Sequence, residues 1–421
     1  MRVLHVVKTT DGALWAAQQA AELVKLGVEV HVALPRGEGR AVQEWADGGA
    51  IIHIAPTDMP VRSPWSLPVT IRKMRDLVSS VRPDFIHSHF YGSTVLLRLA
   101  LGANHTIPRL YQVAGPGHLE HRFWRTVELS SAGPCDSWIA SSRCTLAHYR
   151  TAGISEERLY LSYYGFRIGT CPTARTGLLR KRFGIADHMK VVGNANFIYP
   201  PKWYLGQRIG LKAHEDVIDA LGLIIRQRPD VMGVLIGGTF TGSDWYERRL
   251  RARASAVGSG RILMTGYLPV EEIRRMWPDF DVAVHVPTSE NCGGVVEPLL
   301  ATVPTIAGRV GGLPEVVVDG LTGKLVGIRD PQELARAVLD LLDNQEYYRG
   351  LAGAGRELVG TMFDVQRTAR EVFEIYRHVL NSGYPRPPIF DSVAYLRELV
   401  GPPSSKLHSV SASRHSCQSS E

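Results

Sequence analysis

The chain has 421 residues, enough for two domains at roughly 150 residues each, and 44% of them are hydrophobic against 21% charged. That is globular composition with apolar material for two cores, so disorder as the main state is excluded. The net charge of +7 rests on 48 basic residues, only 9 of them Lys; an arginine bias of this kind reflects genome composition and does not make nucleic acid the expected partner.

Short β-branched runs alternate with amphipathic helical stretches from the N-terminus onward. Val3–Val7, Glu29–Leu34, Ala50–Ile54, Asp84–Ser88, Arg109–Val113 and Ser137–Ala140 read as buried strands, with helical patterns at Ala13–Leu26, Ser66–Val81 and Thr126–Ala132. The alternation pauses at Tyr163–Thr176, where Gly165, Gly169 and Pro172 fall, and restarts at Lys190–Gly193. Val231–Gly237, Arg261–Met264, Asp281–Val286 and Pro304–Ala307 continue the strand series. Strand and helix in steady alternation predict parallel sheets covered on both faces. Two such units, with a ligand between them over the carboxyl ends of the strands, is the simplest arrangement. Pro331–Leu342 and Gln366–Leu380 read as amphipathic helices, and Ile389–Val400 as one that packs back across the domains. The predicted boundaries are 1–170, 171–380, a returning segment 381–403, and a Ser-rich disordered tail 404–421.

No uninterrupted apolar run reaches the ~20 residues a spanning helix needs; Thr94–Ala103 is broken by Arg98. No signal peptide precedes the first strand, and the five cysteines (Cys135, Cys144, Cys171, Cys292, Cys417) form no CxxC pair. A cytoplasmic protein with free thiols and no stable membrane insertion is therefore expected.

Five loops carry candidate chemistry. Lys8-Thr9-Thr10-Asp11-Gly12-Ala13 follows the first strand, and a small Gly turn there lets backbone amides approach a phosphate or sugar; a plain strand-to-helix turn reads the same way. Gly115-Pro116-Gly117-His118-Leu119-Glu120-His121 places His118 and Glu120 at a strand's C-terminal end, where a surface turn is the competing reading. In Lys202–Asp216, Arg208 and Lys212 precede a helix with Glu215 and Asp216 in its first turn, a pattern suited to clamping a diphosphate. Ser289-Glu290-Asn291-Cys292-Gly293-Gly294-Val295-Val296-Glu297 ends a strand in a tight turn. There the amides of Gly293, Gly294 and Val295 can hold phosphate oxygens, and Glu297 can accept bonds from a ribose. Gly311-Gly312-Leu313-Pro314-Glu315 walls the same cleft.

Two strings hint at metal. His87-Ser88-His89 is HxH, but no third ligand follows at a useful spacing. Asp279-Phe280-Asp281 is DxD, but it lies at the entry of its strand, opposite the ligand end. No metal or cofactor is expected.

Glu290…Glu297, Val303-Pro304-Thr305-Ile306-Ala307 and Val310-Gly311-Gly312-Leu313-Pro314-Glu315 resemble the signature of family-4 retaining glycosyltransferases. The resemblance runs from Val3 to about Arg377. It implies the GT-B fold, an α/β architecture of two Rossmann-like parallel-sheet domains: an N-terminal acceptor-binding one and a C-terminal nucleotide-sugar-binding one. Family members space their two carboxylates by seven residues; here the gap between Glu290 and Glu297 is six, and alignment from Glu297 puts the first family Glu on Ser289. The shorter Ser-Glu-Asn-x-Gly-Gly form, with Pro201–Gly206 and Gly210–Glu215, is similar to aminoglycoside-pathway transferases acting on 2-deoxystreptamine, the N-acetylglucosaminyl type above all.

The resemblance implies a UDP-GlcNAc donor and a small aminocyclitol acceptor. It implies that Arg208 and Lys212 neutralise the diphosphate and that Glu297 holds the ribose. Gly293, Gly294 and Val295 then hold the β-phosphate, Glu290 the donor-sugar hydroxyls, and His118 is the active-site histidine. Gly12 matches the N-terminal glycine loop loosely, the usual Gly-Gly reading Asp11-Gly12. A cationic acceptor calls for carboxylates, and Asp11 and Glu120 are the candidates. Rival readings are an acceptor at a membrane surface, served by Arg72, Lys73, Arg75 and Arg82 with Trp65 and Leu67, and a nucleotide or nucleic-acid binder using Arg248, Arg249, Arg251 and Arg253.

Overall fold

The computed structural model describes residues 1–169, 171–202, 206–240 and 244–400. The expected disordered tail, 404–421, lies outside the described residues, as do Trp203, Tyr204 and Leu205 of the third loop and Cys417.

The first sheet contains β1 (Arg2–Val6), β2 (Glu29–Leu34), β3 (Ile51–Ile54), β4 (Phe85–Ser88), β5 (Arg109–Val113), β6 (Asp136–Ala140) and β7 (Leu159–Leu161). All neighbours pair parallel, in the order β3-β2-β1-β4-β5-β6-β7. The second sheet contains β8 (Lys190–Ala195), β9 (Val231–Ile236), β10 (Ile262–Met264), β11 (Val282–His285), β12 (Thr305–Gly308) and β13 (Lys324–Val326), again all parallel, in the order β10-β9-β8-β11-β12-β13. The fold is therefore the doubly wound pair anticipated from the alternation. In each sheet the winding reverses at one place, β1/β4 and β8/β11, and a crevice opens there beyond the strand ends.

β7 and β13 have three residues each, too short for period or composition to reveal. The helix Gln345–Met362 was also not legible in the sequence. It carries Gly350, Gly353, Gly355 and Gly360, and a glycine-rich run reads as a loop because each glycine costs a helix ~1 kcal/mol. Tertiary packing explains at least one of them: a side chain on Gly355 would strike Leu299 and Thr322.

Two junctions join the halves. One apolar cluster takes Tyr111, Trp138 and Leu161 from the first unit and Val295, Leu299, Leu313 and Leu358 from the second. The helix Val365–Leu380, placed with the second unit by its position in the chain, instead buries Ala369, Val372, Ile375 and Tyr376 among residues of the first sheet, including Phe85, Leu110 and Ile139. The two crossings run side by side, with the Phe166 amide donating to the Phe363 carbonyl at 2.7 Å. The returning segment touches both units: Arg386 donates to the Glu156 carbonyl at 2.7 Å, and Leu396 is buried in the shared cluster. No helix of the described residues is long and apolar enough to cross a membrane. The described cysteines Cys135, Cys144, Cys171 and Cys292 form no disulfide.

Candidate active site

Two loops converge beyond the carboxyl end of the second sheet. The first leads from Gly210 to the helix His214–Gln227. Gly210 is pinned where a side chain would strike the Tyr199 carbonyl and the Tyr246 ring, and its amide donates to Tyr246 Oη at 2.8 Å. Ala213 follows in the left-handed region, φ 48°, and starts the helix. The second loop follows β11. Its Thr288 amide donates to the Leu211 carbonyl at 2.9 Å, which ties the loops together and brings Glu290 to Lys212.

The result is a compact charged cluster. Lys212 Nζ is ion-paired with Glu290 Oε2, and His285 Nε2 lies 3.0 Å from the same oxygen. The Asn291 amide donates to the other oxygen at 3.1 Å. Both side chains of the pair are about one-seventh exposed, at 15% and 14%. Burial works against the charge on Glu290, but Lys212 and the His285 ring outweigh it and hold the carboxyl down at about 2. Glu290 is thus a permanent anion near neutral pH, unsuited to donating a proton. Burial lowers His285 in turn, partly offset by Glu290.

Glycine makes the loop possible. Gly294 sits at φ 79°, and a Cβ there would collide with the His285 ring. Gly311 sits at φ 56°, where a Cβ would run into the Glu290 carbonyl. The helix after the loop, Val296–Leu300, has five residues, so its dipole is small and any anion held here depends on the turn amides themselves.

The other expected residues are placed differently. Arg208 is exposed and has no hydrogen bond or ion pair among the described residues. Glu297 pairs with Arg274 at 3.2 Å and shares no partner with Glu290; it and Glu290 do not form one cluster. His118 faces into the first unit, with Nε2 3.2 Å from Tyr149 Oη and 4.0 Å from Glu128, among the rings of Tyr91 and Tyr111. Burial takes it down to about 4. The amides of Asp11 and Gly12 both donate to Thr9 Oγ1 at 3.2 Å, so Gly12 offers a ligand no free amide in this arrangement. The Asp11 side chain is exposed.

Glu120 does reach across the cleft. It accepts a 2.8 Å bond from Ser289, and burial raises it above the ordinary carboxylate range. Ser289 is the position where the family alignment puts its first carboxylate, so a carboxylate from the opposite unit stands beside it. Next to it, Asn291 Nδ2 donates to Ser141 Oγ at 2.9 Å. Glu315 accepts from the Arg143 and Cys144 amides, at 2.9 and 3.2 Å, and from Tyr163 Oη at 2.6 Å. It caps a helix of the first unit and serves as a bolt between the units, with both oxygens engaged.

The sequence reading did not single out His285. Its signal was present: a lone polar residue at the C-terminal end of the apolar strand Val-Ala-Val-His, the end where parallel sheets place ligand contacts. The pairs Asn291–Ser141 and Glu315–Tyr163 carried no sequence signal, because each forms only across the two units.

The DxD string is consumed structurally. Asp279 accepts from the Thr176, Gly177 and Leu179 amides at 2.8–2.9 Å, and Asp281 binds Arg175 at 2.6 Å and the Val191 amide at 2.8 Å. Three of the four arginines at 248–253 are paired with carboxylates: Arg248 with Asp244, Arg251 with Glu247 and Arg253 with Asp219, at 3.4, 2.7 and 2.6 Å.

Residues 13–167 match the family model for Glycosyltransferase Family 4, and residues 203–358 the model for Glycosyl transferases group 1. Glycogen synthase of Mycobacterium tuberculosis is 26% identical over 300 residues, 70% of this chain and 69% of that protein. A D-inositol 3-phosphate glycosyltransferase of Nocardioides sp. is 28% identical over 233 residues, 52% of this chain and 48% of that protein; the match spans about half of that relative's length. Among solved structures, Anabaena HepE in complex with UDP-glucose superposes with a TM-score of 0.74 at 20% identity, covering 90% of this chain and 99% of that one, a likeness of fold. Each half of the chain thus matches the model for its own half of one architecture, and the protein is a glycosyltransferase with a GT-B fold.

Proposed function

We propose that this glycosyltransferase moves N-acetylglucosamine from UDP-GlcNAc to a small aminocyclitol of the 2-deoxystreptamine type, with retention of anomeric configuration. The observation that carries the proposal is the Lys212–Glu290–His285 cluster at the β8/β11 crevice. In this reading its cation meets the charge that gathers on a departing diphosphate, and a preorganised donor of this kind is worth ~3–4 kcal/mol in other enzymes. Arg208, exposed and unpaired among the described residues, adds a second cation at the mouth. Glu290, held ionised, accepts hydrogen bonds from donor-sugar hydroxyls and keeps Lys212 charged. The acceptor hydroxyl attacks on the face from which UDP leaves, so no carboxylate nucleophile is required. In this reading the diphosphate is neutralised without a metal ion, since both DxD carboxylates are spent on backbone and arginine partners.

Two features support the substrate classes. HepE was solved with UDP-glucose, and the Nocardioides relative is named for a cyclitol phosphate acceptor. On this chain, Asp11 and Glu120 supply the negative charge that a diamino-cyclitol needs. The test is incubation with UDP-GlcNAc and 2-deoxystreptamine, with and without EDTA, read by mass spectrometry. A pseudodisaccharide formed in both arms supports donor, acceptor and metal-free transfer. UDP release without that product sends the acceptor elsewhere.

One surface observation favours a second acceptor class, a lipid-linked sugar. Val61 and Trp65 are 81% and 78% exposed, beside the helix Leu67–Val81 that carries Arg72 and Lys73. Apolar side chains flanked by cations are what an anionic bilayer surface binds. Co-sedimentation with anionic vesicles, lost in Trp65→Ser, separates the two readings.

A further inference from the structure

The crevice of the first sheet, at β1/β4, holds three histidines. His5 on β1 and His87 on β4 are direct partners in the parallel register, so their side chains share one face. His89, two residues beyond His87, falls on the same face. The sequence shows only the HxH pair; the sheet brings the third imidazole from a strand more than eighty residues earlier in the chain.

All three side chains are fully buried, at 0% exposure. The rings lie close together, with centroids 4.9 Å apart for His5–His87, 5.2 Å for His5–His89 and 4.2 Å for His87–His89; His5 and His89 stack and the other two pairs are tilted. One ring nitrogen of each lies within 4.8 Å of those of the other two. Each ring has one partnered nitrogen: His5 Nδ1 with His89 Nε2 at 2.9 Å, and His87 Nδ1 with Tyr376 Oη at 2.6 Å. The other three nitrogens, His5 Nε2, His87 Nε2 and His89 Nδ1, make no hydrogen bond of normal geometry, while the Gln112 side chain lies close enough to act on His87. Trp45 Nε1, on the indole packed 5.4 Å from His5, makes no such bond either.

Buried polar atoms are paired in the great majority of cases. Three buried imidazoles whose ring nitrogens come within 4.8 Å of one another, each with a nitrogen outside any hydrogen bond of normal geometry, therefore have the capacity to take a ligand. Burial depresses all three histidines, His5 to about 3, so the rings are neutral. The His5–His89 bond uses the lone pair of one ring, and binding an ion requires that bond to open so that each ring turns one lone pair to the metal. The Tyr376 contact on His87 has the form of the outer-shell bond that orients a metal-bound imidazole and fixes its tautomer.

We propose that His5, His87 and His89 form a binding site for a divalent first-row transition ion of the zinc class, separate from the donor-sugar site. Three imidazoles suit zinc, with water completing the tetrahedron. Nitrogens bound to one such ion stand about 3.4 Å apart, so the rings shift on binding and the 2.9 Å His5–His89 bond is exchanged for two bonds to the metal. The ion joins β1, β4 and, through Tyr376, the helix Val365–Leu380. It thereby stiffens the floor beneath the Lys8–Ala13 loop. Being sealed from solvent, it enters during folding and exchanges slowly, so brief EDTA treatment of the native enzyme leaves it in place.

The test uses the untagged full chain, refolded from denaturant with Zn²⁺ or Co²⁺, dialysed, and assayed for bound metal by inductively coupled plasma mass spectrometry. The expected result is one ion per chain, a visible Co²⁺ spectrum of tetrahedral type, and a higher Tm than protein refolded with chelator. His5→Gln and His89→Gln should lose all three, and His118→Gln should keep them. Should either ligand variant fail to fold, Tyr376→Phe leaves every ligand in place and is expected to weaken the ion about 10- to 100-fold. Wild-type protein that refolds to its native circular dichroism without retaining Zn²⁺ or Co²⁺ overturns the proposal and assigns the orphaned nitrogens to buried water. Equal affinity in wild type and Tyr376→Phe, with no Co²⁺ spectrum, does the same.

Discussion

The two sheets reverse their winding at equivalent places, and each fills the resulting crevice with histidine, yet the chemistry is opposite. At β8/β11, His285 meets the anion Glu290 and the cation Lys212 in a pocket that keeps some contact with water. At β1/β4, His5, His87 and His89 meet one another, with no charged partner and no exposure. Fold alone therefore does not decide what a crevice does. The second crevice presents a partly exposed ion pair, while the first is sealed and neutral. A strand-end histidine beside an ion pair suits an anionic ligand; a sealed trio of histidines that meet one another has the character of an internal site.

The largest expected break in this comparison is at Lys212. Lys212→Ala removes the cation at the second crevice and should slow transfer 10²- to 10³-fold while far-ultraviolet circular dichroism stays native. Turnover within a few-fold of wild type would take Lys212 out of the site.

Next in size is the turn that seats Glu290. Gly294→Ala adds a Cβ in the left-handed region against the His285 ring. Gly184→Ala adds one at φ 65° in open space. Strain alone costs about 1–2 kcal/mol, so Gly184→Ala should show that loss and Gly294→Ala clearly more, by chemical denaturation. Equal losses would mean that the loop moves away from His285 without cost.

The pH dependence sharpens the contrast between charged and neutral crevices. Glu290 is held at about 2, below its ordinary 4.5. Its stabilising contribution is fully present above pH 4.5 and is lost as the pH falls through 2. In protein refolded with chelator, free of any ion, burial depresses His5 from 6.5 to about 3; the folded state binds fewer protons than the unfolded chain in that window, so its contribution is complete above 6.5 and lost on the way down to 3. Glu290→Gln should flatten the stability curve below pH 4.5 alone, and His5→Gln should flatten it from pH 6.5 downward. Identical curves for the two variants would show that the crevices do not titrate separately.

The smallest effect is expected at the acceptor side. Asp11 is exposed, and a screened surface charge contributes ~1 kcal/mol or less. Asp11→Asn should raise the acceptor KM several-fold at low salt and leave the donor KM unchanged. A shift in the donor KM instead would move Asp11 to the other half of the cleft.

The sequence by itself determined the alternation of strand and helix, hence two parallel doubly wound sheets, because a strand buried on both faces is apolar throughout and its covering helix is amphipathic. It also located the Ser289–Glu297 loop and Lys212, since charge and paired glycines at a strand's end are local features. The glycines themselves were legible as turn residues; why Gly294 and Gly311 must be glycine was not, because the His285 ring and the Glu290 carbonyl that exclude a side chain come from other parts of the fold. Only the tertiary structure turned His118 into the first unit, set Glu297 on Arg274, moved the helix Val365–Leu380 onto the first sheet, and brought His5 to His87 and His89. The reason is common to all four. Local pattern fixes backbone state over a few residues, whereas partners far apart in the chain are chosen by strand register and by the packing of one unit on the other.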